Sequence, residues 1–76
     1  MIFLSLTQRV VSFLLDESAK IGSSSIAMTH EEIAKIIGSA REAVSRTLKQ
    51  LAKTGSISLN RGEIKLERKE SLYQLL

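Results

Sequence analysis

Thr29-His30-Glu31-Glu32-Ile33-Ala34-Lys35-Ile36-Ile37-Gly38-Ser39-Ala40-Arg41-Glu42-Ala43-Val44-Ser45-Arg46-Thr47-Leu48-Lys49-Gln50-Leu51 is the stretch whose reading decides the fold. It opens on a capping box: the Thr29 hydroxyl suits the amide of Glu32, and the Glu32 carboxylate reaches back to Thr29. Ile33, Ala34, Ile36 and Ile37 give the helix its apolar residues, and Gly38 ends it in the way a left-handed C-terminal glycine does. Ser39-Ala40-Arg41-Glu42 follows at once and reads as a second capping box. It opens a helix from about Ala40 to Thr54, which Gly55 stops. Two helices separated by only about three residues must cross steeply, and that is helix-turn-helix geometry.

Working outward, Leu6 to Lys20 predicts a first helix, since Leu6, Val10, Val11, Leu14 and Leu15 recur at helical spacing with Thr7 near the start. Gly22-Ser23-Ser24-Ser25 breaks the chain, and Ile26-Ala27-Met28 suits a short strand. After Gly55 the apolar period becomes two. Ile57 and Leu59, then Ile64 and Leu66, flank a turn at Asn60-Arg61-Gly62 and predict a β-hairpin. Glu67 to Leu76, with Leu72, Leu75 and Leu76, suits a short closing helix or a frayed tail. The predicted fold class is mostly α with a small β-hairpin wing, a winged helix-turn-helix over residues 6–76.

Bulk properties agree with one small domain. At 76 residues only about 60% of the unfolded chain's surface is buried on folding. The apolar share of 43% is enough for one core and excludes a disordered chain. Absence of cysteine excludes disulfides, thiolate metal sites and a cysteine nucleophile. His30 alone builds no metal centre, so neither metal nor cofactor is expected. No nucleophile–base pair, phosphate-cradling glycine loop or carboxylate pair stands out, which argues against an enzyme. Met1-Ile2-Phe3-Leu4 lacks a basic flank, and Gln8 and Arg9 interrupt the run, so it is not a signal peptide. No stretch approaches the ~18 apolar residues of a membrane span. The expectation is a soluble, cytoplasmic domain with no membrane partner.

The formal charge of +3 is mild, but its distribution is uneven. From Ala40 to Thr54, Arg41, Arg46, Lys49 and Lys53 stand against Glu42 alone, and the charges elsewhere cancel. On a wheel of about 100° per residue, Ala40, Val44, Leu48 and Leu51 form the stripe expected to be buried. Arg41, Glu42, Ser45, Arg46, Lys49 and Lys53 share the opposite arc. A major groove admits one α-helix, whose amino-terminal residues reach base edges while later ones meet phosphates. Arg41 and Arg46 carry planar forks that match guanine, Glu42 accepts from a cytosine amino group, and Ser45 suits a base or a phosphate. Lys49 and Lys53 are placed for phosphates, as is Arg61 at the wing tip. Thr29, His30 and Ser39, near the two helix starts, are expected to approach phosphate as well. The plainer alternatives are a solvated basic face, with Glu42 merely capping Ser39, or a winged helix used for protein–protein contact.

These residues resemble the cyclic-AMP receptor protein and fumarate–nitrate reduction regulator (Crp/Fnr) family of bacterial transcription factors. The match is Thr29-His30-Glu31-Glu32-Ile33-Ala34, then Gly38 through Leu51 with the signature R-E-x-V-x-R-x-L-x-x-L, then Gly55-Ser56-Ile57. It extends from about Leu6 to Leu76. The resemblance implies a winged helix that reads an inverted-repeat operator in double-stranded DNA, as a homodimer when joined to a dimerisation element, with RNA polymerase as a further partner. It puts Arg41, Glu42 and Arg46 at the positions that read TGTGA-like half-sites in the cyclic-AMP receptor branch. Ala43 stands where the family usually has a phosphate-touching Thr, and His30 and Glu31 replace residues that often approach the backbone. The family's ligand-binding β-roll and long dimerisation helix are missing from the sequence, so the expectation is an excised carboxy-terminal domain, the alternative being a regulator without its own sensor. Residues 1–5 then read as a hinge remnant or disordered start, and Ile2-Phe3-Leu4 as a patch able to meet a second copy. Phe3, Phe13 and Tyr73 are expected in the core or hinge.

Overall fold

The computed structural model describes residues 5–76; the hinge and patch expectations for Met1 to Leu4 lie outside them. Helix α1 (Leu6–Ile21) leads into a two-residue strand β1 (Ser25–Ile26), helix α2 (His30–Ile37) and helix α3 (Arg41–Lys53). Strands β2 (Ile57–Asn60) and β3 (Glu63–Leu66) form the hairpin, and helix α4 (Lys69–Tyr73) closes the chain. The architecture is a winged helix-turn-helix, mostly helical with one small antiparallel sheet.

The cap of α1 is Ser5 rather than Thr7. Its hydroxyl accepts from the Gln8 amide at 3.1 Å, while the Gln8 side chain accepts from the Ser5 amide at 3.0 Å. The strand expected at Ile26-Ala27-Met28 begins one residue earlier and stops at Ile26, because the Met28 amide turns back to the Ile26 carbonyl at 3.1 Å. Short as it is, β1 turns the hairpin into a three-stranded sheet in the order β1-β3-β2, pairing Ser25 with Lys65 and Ile26 with Ile64. In the hairpin, Asn60 pairs with Glu63 across Arg61 and Gly62, and Gly62 takes a left-handed φ of 67° that L side chains disfavour.

One core holds these elements together. Val10, Val11 and Leu14 from α1 meet Ile33 from α2, Val44 and Leu48 from α3, Ile57 and Ile64 from the sheet, and Leu72 from α4. The alternation expected in the hairpin is observed, with Ile57, Ile64 and Leu66 buried and Leu59 packed partly against them. The closing helix is real but brief. Leu72 anchors it, and Ser71 meets the buried Ser56 through a 2.7 Å hydroxyl pair, whereas Leu75 and Leu76 are exposed. Tyr73 is also exposed rather than in the core, while Phe13 packs against that core.

The turn between α2 and α3 departs from the sequence reading at one point. Gly38 has φ 80°, and its amide and that of Ser39 both donate to the Ala34 carbonyl, at 2.8 and 3.0 Å. Ser39 is thereby spent in closing α2, and the N-cap of α3 falls one residue later, on Ala40, with no side-chain cap. The expected Ser39–Glu42 capping box does not form, because Glu42 is then one residue short of the N3 position that such a box needs. Ala40 is exposed for the same reason: its wheel angle faces the core, but it precedes the first helical turn. Thr47 takes its place in the buried stripe, donating its hydroxyl to the Ala43 carbonyl at 3.0 Å.

Two substitutions around this turn have opposite expected signs. Ala40→Ser supplies the missing cap oxygen and stabilises by about 1 kcal/mol. Gly38→Ala meets no atom within 4 Å yet forces an L residue into the left-handed region, at a cost of about 1–2 kcal/mol. Urea unfolding measures both, with Ser39→Ala as a near-silent control. A larger loss for Ser39→Ala than for Gly38→Ala rejects this account of the turn.

Candidate nucleic-acid interface

Helix α3 is amphipathic enough that burying one face settles the direction of the other. Val44, Thr47, Leu48 and Leu51 are buried, and Arg41, Glu42, Arg46, Lys49 and Lys53 are exposed. Four cations and one carboxylate therefore share a solvent-facing arc on a rod about 20 Å long. Lys53 lies about 18 Å along the axis from Arg41, so the two serve different parts of any long ligand. Glu42 makes no cap, which leaves its carboxylate without the competing role that the sequence allowed.

The fold brings three separate segments around the start of α3. Met28, Thr29, His30 and Glu31 at the approach to α2 and its amino end, Arg41 on α3 and Asn60, Arg61 and Gly62 at the hairpin tip line one open notch of about 400 Å³. Arg41 and Arg61, twenty residues apart in the chain, thus share a concave surface. Ser39 and Lys53 are not part of this notch; Ser39 is half-buried in the turn. Thr29 is exposed, but its hydroxyl is already engaged. It accepts from the Glu32 amide at 3.1 Å and donates to Glu32 Oε1 at 3.1 Å. The expected capping box at α2 is complete, since Glu32 Oε1 also accepts from the Thr29 amide at 2.9 Å.

His30 reaches across from α2 to the second helix of the motif. It is half-buried, and its Nδ1 lies 2.8 Å from Ser45 Oγ on α3. Burial, then the charges of Lys49 and Arg41, hold its pKa below the ordinary value of 6.5. Ser45 is half-buried beside it. This cross-helix pair was not legible in the sequence, because the partners are fifteen residues apart on different helices. Asn60 and Met28 at the notch were missed for the same reason.

One carboxyl and one imidazole are shifted in directions that couple folding to pH. The Glu32 carboxyl is held below its ordinary 4.5, first by the Thr29 amide and then by the Thr29 hydroxyl. Its contribution is present above 4.5 and is lost as pH falls through the lowered folded value. A depressed histidine works earlier: below 6.5 the unfolded chain binds a proton that folded His30 resists, so stability declines from there downward. His30→Gln is expected to remove the decline between about pH 7 and pH 5 and leave the later one. Thermal unfolding midpoints across that range decide it, and an unchanged slope in the variant rejects it.

A short helix-turn-helix packed on a hairpin, with its second helix presenting a cationic face, defines the winged helix-turn-helix class. The chain matches the family model of the Crp-like helix-turn-helix domain over residues 8–75. It belongs to that family, one of DNA-binding transcription regulators rather than enzymes. Solved structures agree. A protein of Eubacterium rectale assigned to the crp/fnr family of transcriptional regulators superposes with a TM-score of 0.91 at 39% identity, covering 93% of this chain and 33% of that one. A CRP/FNR-family transcriptional regulator of Thermus thermophilus gives 0.84 at 28% identity, covering 95% and 40%. The catabolite activator protein of the same species gives 0.75 at 27% identity, covering 91% and 33%. The chain thus spans a third to two fifths of the length of these proteins. No curated relative matches it. Among the described residues no helix is long and apolar enough to cross a membrane.

Proposed function

We propose that this domain binds double-stranded DNA sequence-specifically for transcription regulation, with α3 in the major groove of one half of an inverted-repeat operator. The observation that carries this reading is the exposed arc of Arg41, Glu42, Arg46, Lys49 and Lys53, continued by the notch to Arg61 on the wing. Arg41, Glu42 and Arg46 lie in the amino-terminal half of α3 and read base edges, with Ser45 beside them. Lys49 and Lys53 further along, and Arg61 on the wing, hold phosphates. Thr29 and His30, which line the notch, approach the backbone, as does Ser39 from the turn. The second half of the operator requires a second copy, brought in when the domain is joined to a dimerisation element.

Binding energetics separate these roles. Lys49→Ala, Lys53→Ala and Arg61→Ala should each weaken all duplexes about equally and lower the salt slope by about 1. Fluorescence anisotropy against salt concentration checks this, and an unchanged slope in all three removes them from the interface.

Arg46→Ala should instead flatten the preference at one G·C pair, since a bidentate Arg–guanine pair discriminates by about 1–3 kcal/mol. Glu42→Gln, free of any capping duty, should change the preferred base at one position with little effect on stability. The measurement is a binding profile over all single-base variants of a TGTGA-like half-site. Uniform weakening at every position assigns these residues to phosphate. Binding that ignores DNA altogether favours a protein–protein role.

A further inference from the structure

One contact joins the two helices of the motif through chemistry rather than packing. His30, the first residue of α2, is half-buried against α3, and its Nδ1 stands 2.8 Å from Ser45 Oγ. Ser45 belongs to the outward arc of α3, at about 40° from Arg41 and between it and Lys49. A hydroxyl carries a single proton, and a ring nitrogen either donates or accepts. When the neutral ring carries its proton on Nε2, Nδ1 accepts from Ser45. The hydroxyl then offers only lone pairs to anything outside. When the ring is cationic, Nδ1–H donates to Ser45, and the serine proton is released toward an external acceptor.

We propose that His30 and Ser45 form a specificity element whose hydrogen-bonding sense toward a base edge is set by protonation of the ring. This rests on the DNA reading proposed above. Adenine N6 and cytosine N4 are donors in the major groove, whereas guanine O6 and N7 and thymine O4 are acceptors. A neutral His30 therefore makes Ser45 favour adenine or cytosine, and a charged one makes it favour guanine or thymine.

The surroundings give the element its working range. From α3 the ring faces the cations Arg41 and Lys49; across the notch the hairpin supplies Arg61, and Glu31 is its neighbouring carboxylate. With no DNA, burial and the α3 cations keep the ring neutral near pH 7. Phosphates of a bound duplex oppose that repulsion and draw a proton onto the ring. Binding is then accompanied by proton uptake, strongest on sites with guanine or thymine under Ser45.

The test uses the full chain and a random-sequence duplex pool, selected at about pH 8 and about pH 5.5, either side of the ordinary histidine range. Circular dichroism at both values establishes that each protein is folded. Wild type should show, at one position only, a change of about three- to tenfold in the ratio of adenine or cytosine to guanine or thymine. Ser45→Ala should bind with no such change, and His30→Gln should keep one preference at both values. Imidazole 15N shifts of the free wild-type protein should report the Nε2–H tautomer. A wild-type preference identical at both pH values, with Arg46-dependent selectivity intact, overturns the switch and leaves the DNA reading standing. So does a neutral Nδ1–H tautomer. Absence of any sequence-selective binding overturns the DNA reading itself, and the switch with it.

Discussion

The structure depends on a chain reversal that uses very few atoms. At the end of α2 the amides of Gly38 and Ser39 both converge on the Ala34 carbonyl, and the left-handed φ of Gly38 swings the chain out of its helix. Only Ala40 then separates the turn from Arg41. That economy fixes the angle between α2 and α3, because a longer linker would leave it to side-chain packing alone. It also fixes which residue comes first on α3. Arg41 begins the helix at the mouth of the notch because Ser39 is consumed in ending α2, not in starting α3.

Packing holds that angle in place. Helix α1 runs beneath the motif and fills the space under it with Val10, Val11 and Leu14, all fully buried. They meet Val44 and Leu48 of α3 and Ile33 of α2, while Arg9 of α1 donates from the rim to the Ile37 carbonyl at the end of α2. A chain of this length has a net stability of only about 4–11 kcal/mol. Emptying one of these leucine positions costs about 2–5 kcal/mol. The orientation of the cationic face is therefore bound to the integrity of the whole domain, and the core and the surface cannot be varied independently.

The sequence made legible what repeats locally. The 3.6-residue period gave α1, α2 and α3, the two-residue period gave the hairpin, and the Thr29 box and Gly38 were read correctly from spacing alone. Direction was largely legible too: the wheel put Arg41, Glu42, Ser45, Arg46, Lys49 and Lys53 outward, and all are exposed except Ser45, which is half-buried against His30. What escaped were competitions between adjacent elements. Ser39 has the right chemistry for a cap, but α2 claims it first, and Ala40 leaves the buried stripe as a result. Ser5 outranks Thr7 because Gln8 can close a box with it. The pairing of β1 with β3 and of His30 with Ser45 escaped because each joins residues far apart in the chain, with no period to announce the partner.

Electrostatics then explains how so slight a net charge suffices for the proposed role. Screening at physiological salt confines each charge to a radius of about 8 Å. A groove-sized ligand therefore feels the local arc of α3 and the notch, and scarcely feels the compensating charges elsewhere on the surface. Within that radius the acidic exceptions matter most. Glu42 sits inside the cationic arc, and Glu31 lies in the notch with Arg41 and Arg61. Each costs affinity for phosphates in general, because it repels every duplex alike. In the proposed role, Glu42 would recover that cost only where a donor such as the cytosine amino group stands opposite it. A carboxylate on a phosphate-binding helix thus lowers the non-specific background more than it lowers the best site, and selectivity is the difference between those two quantities.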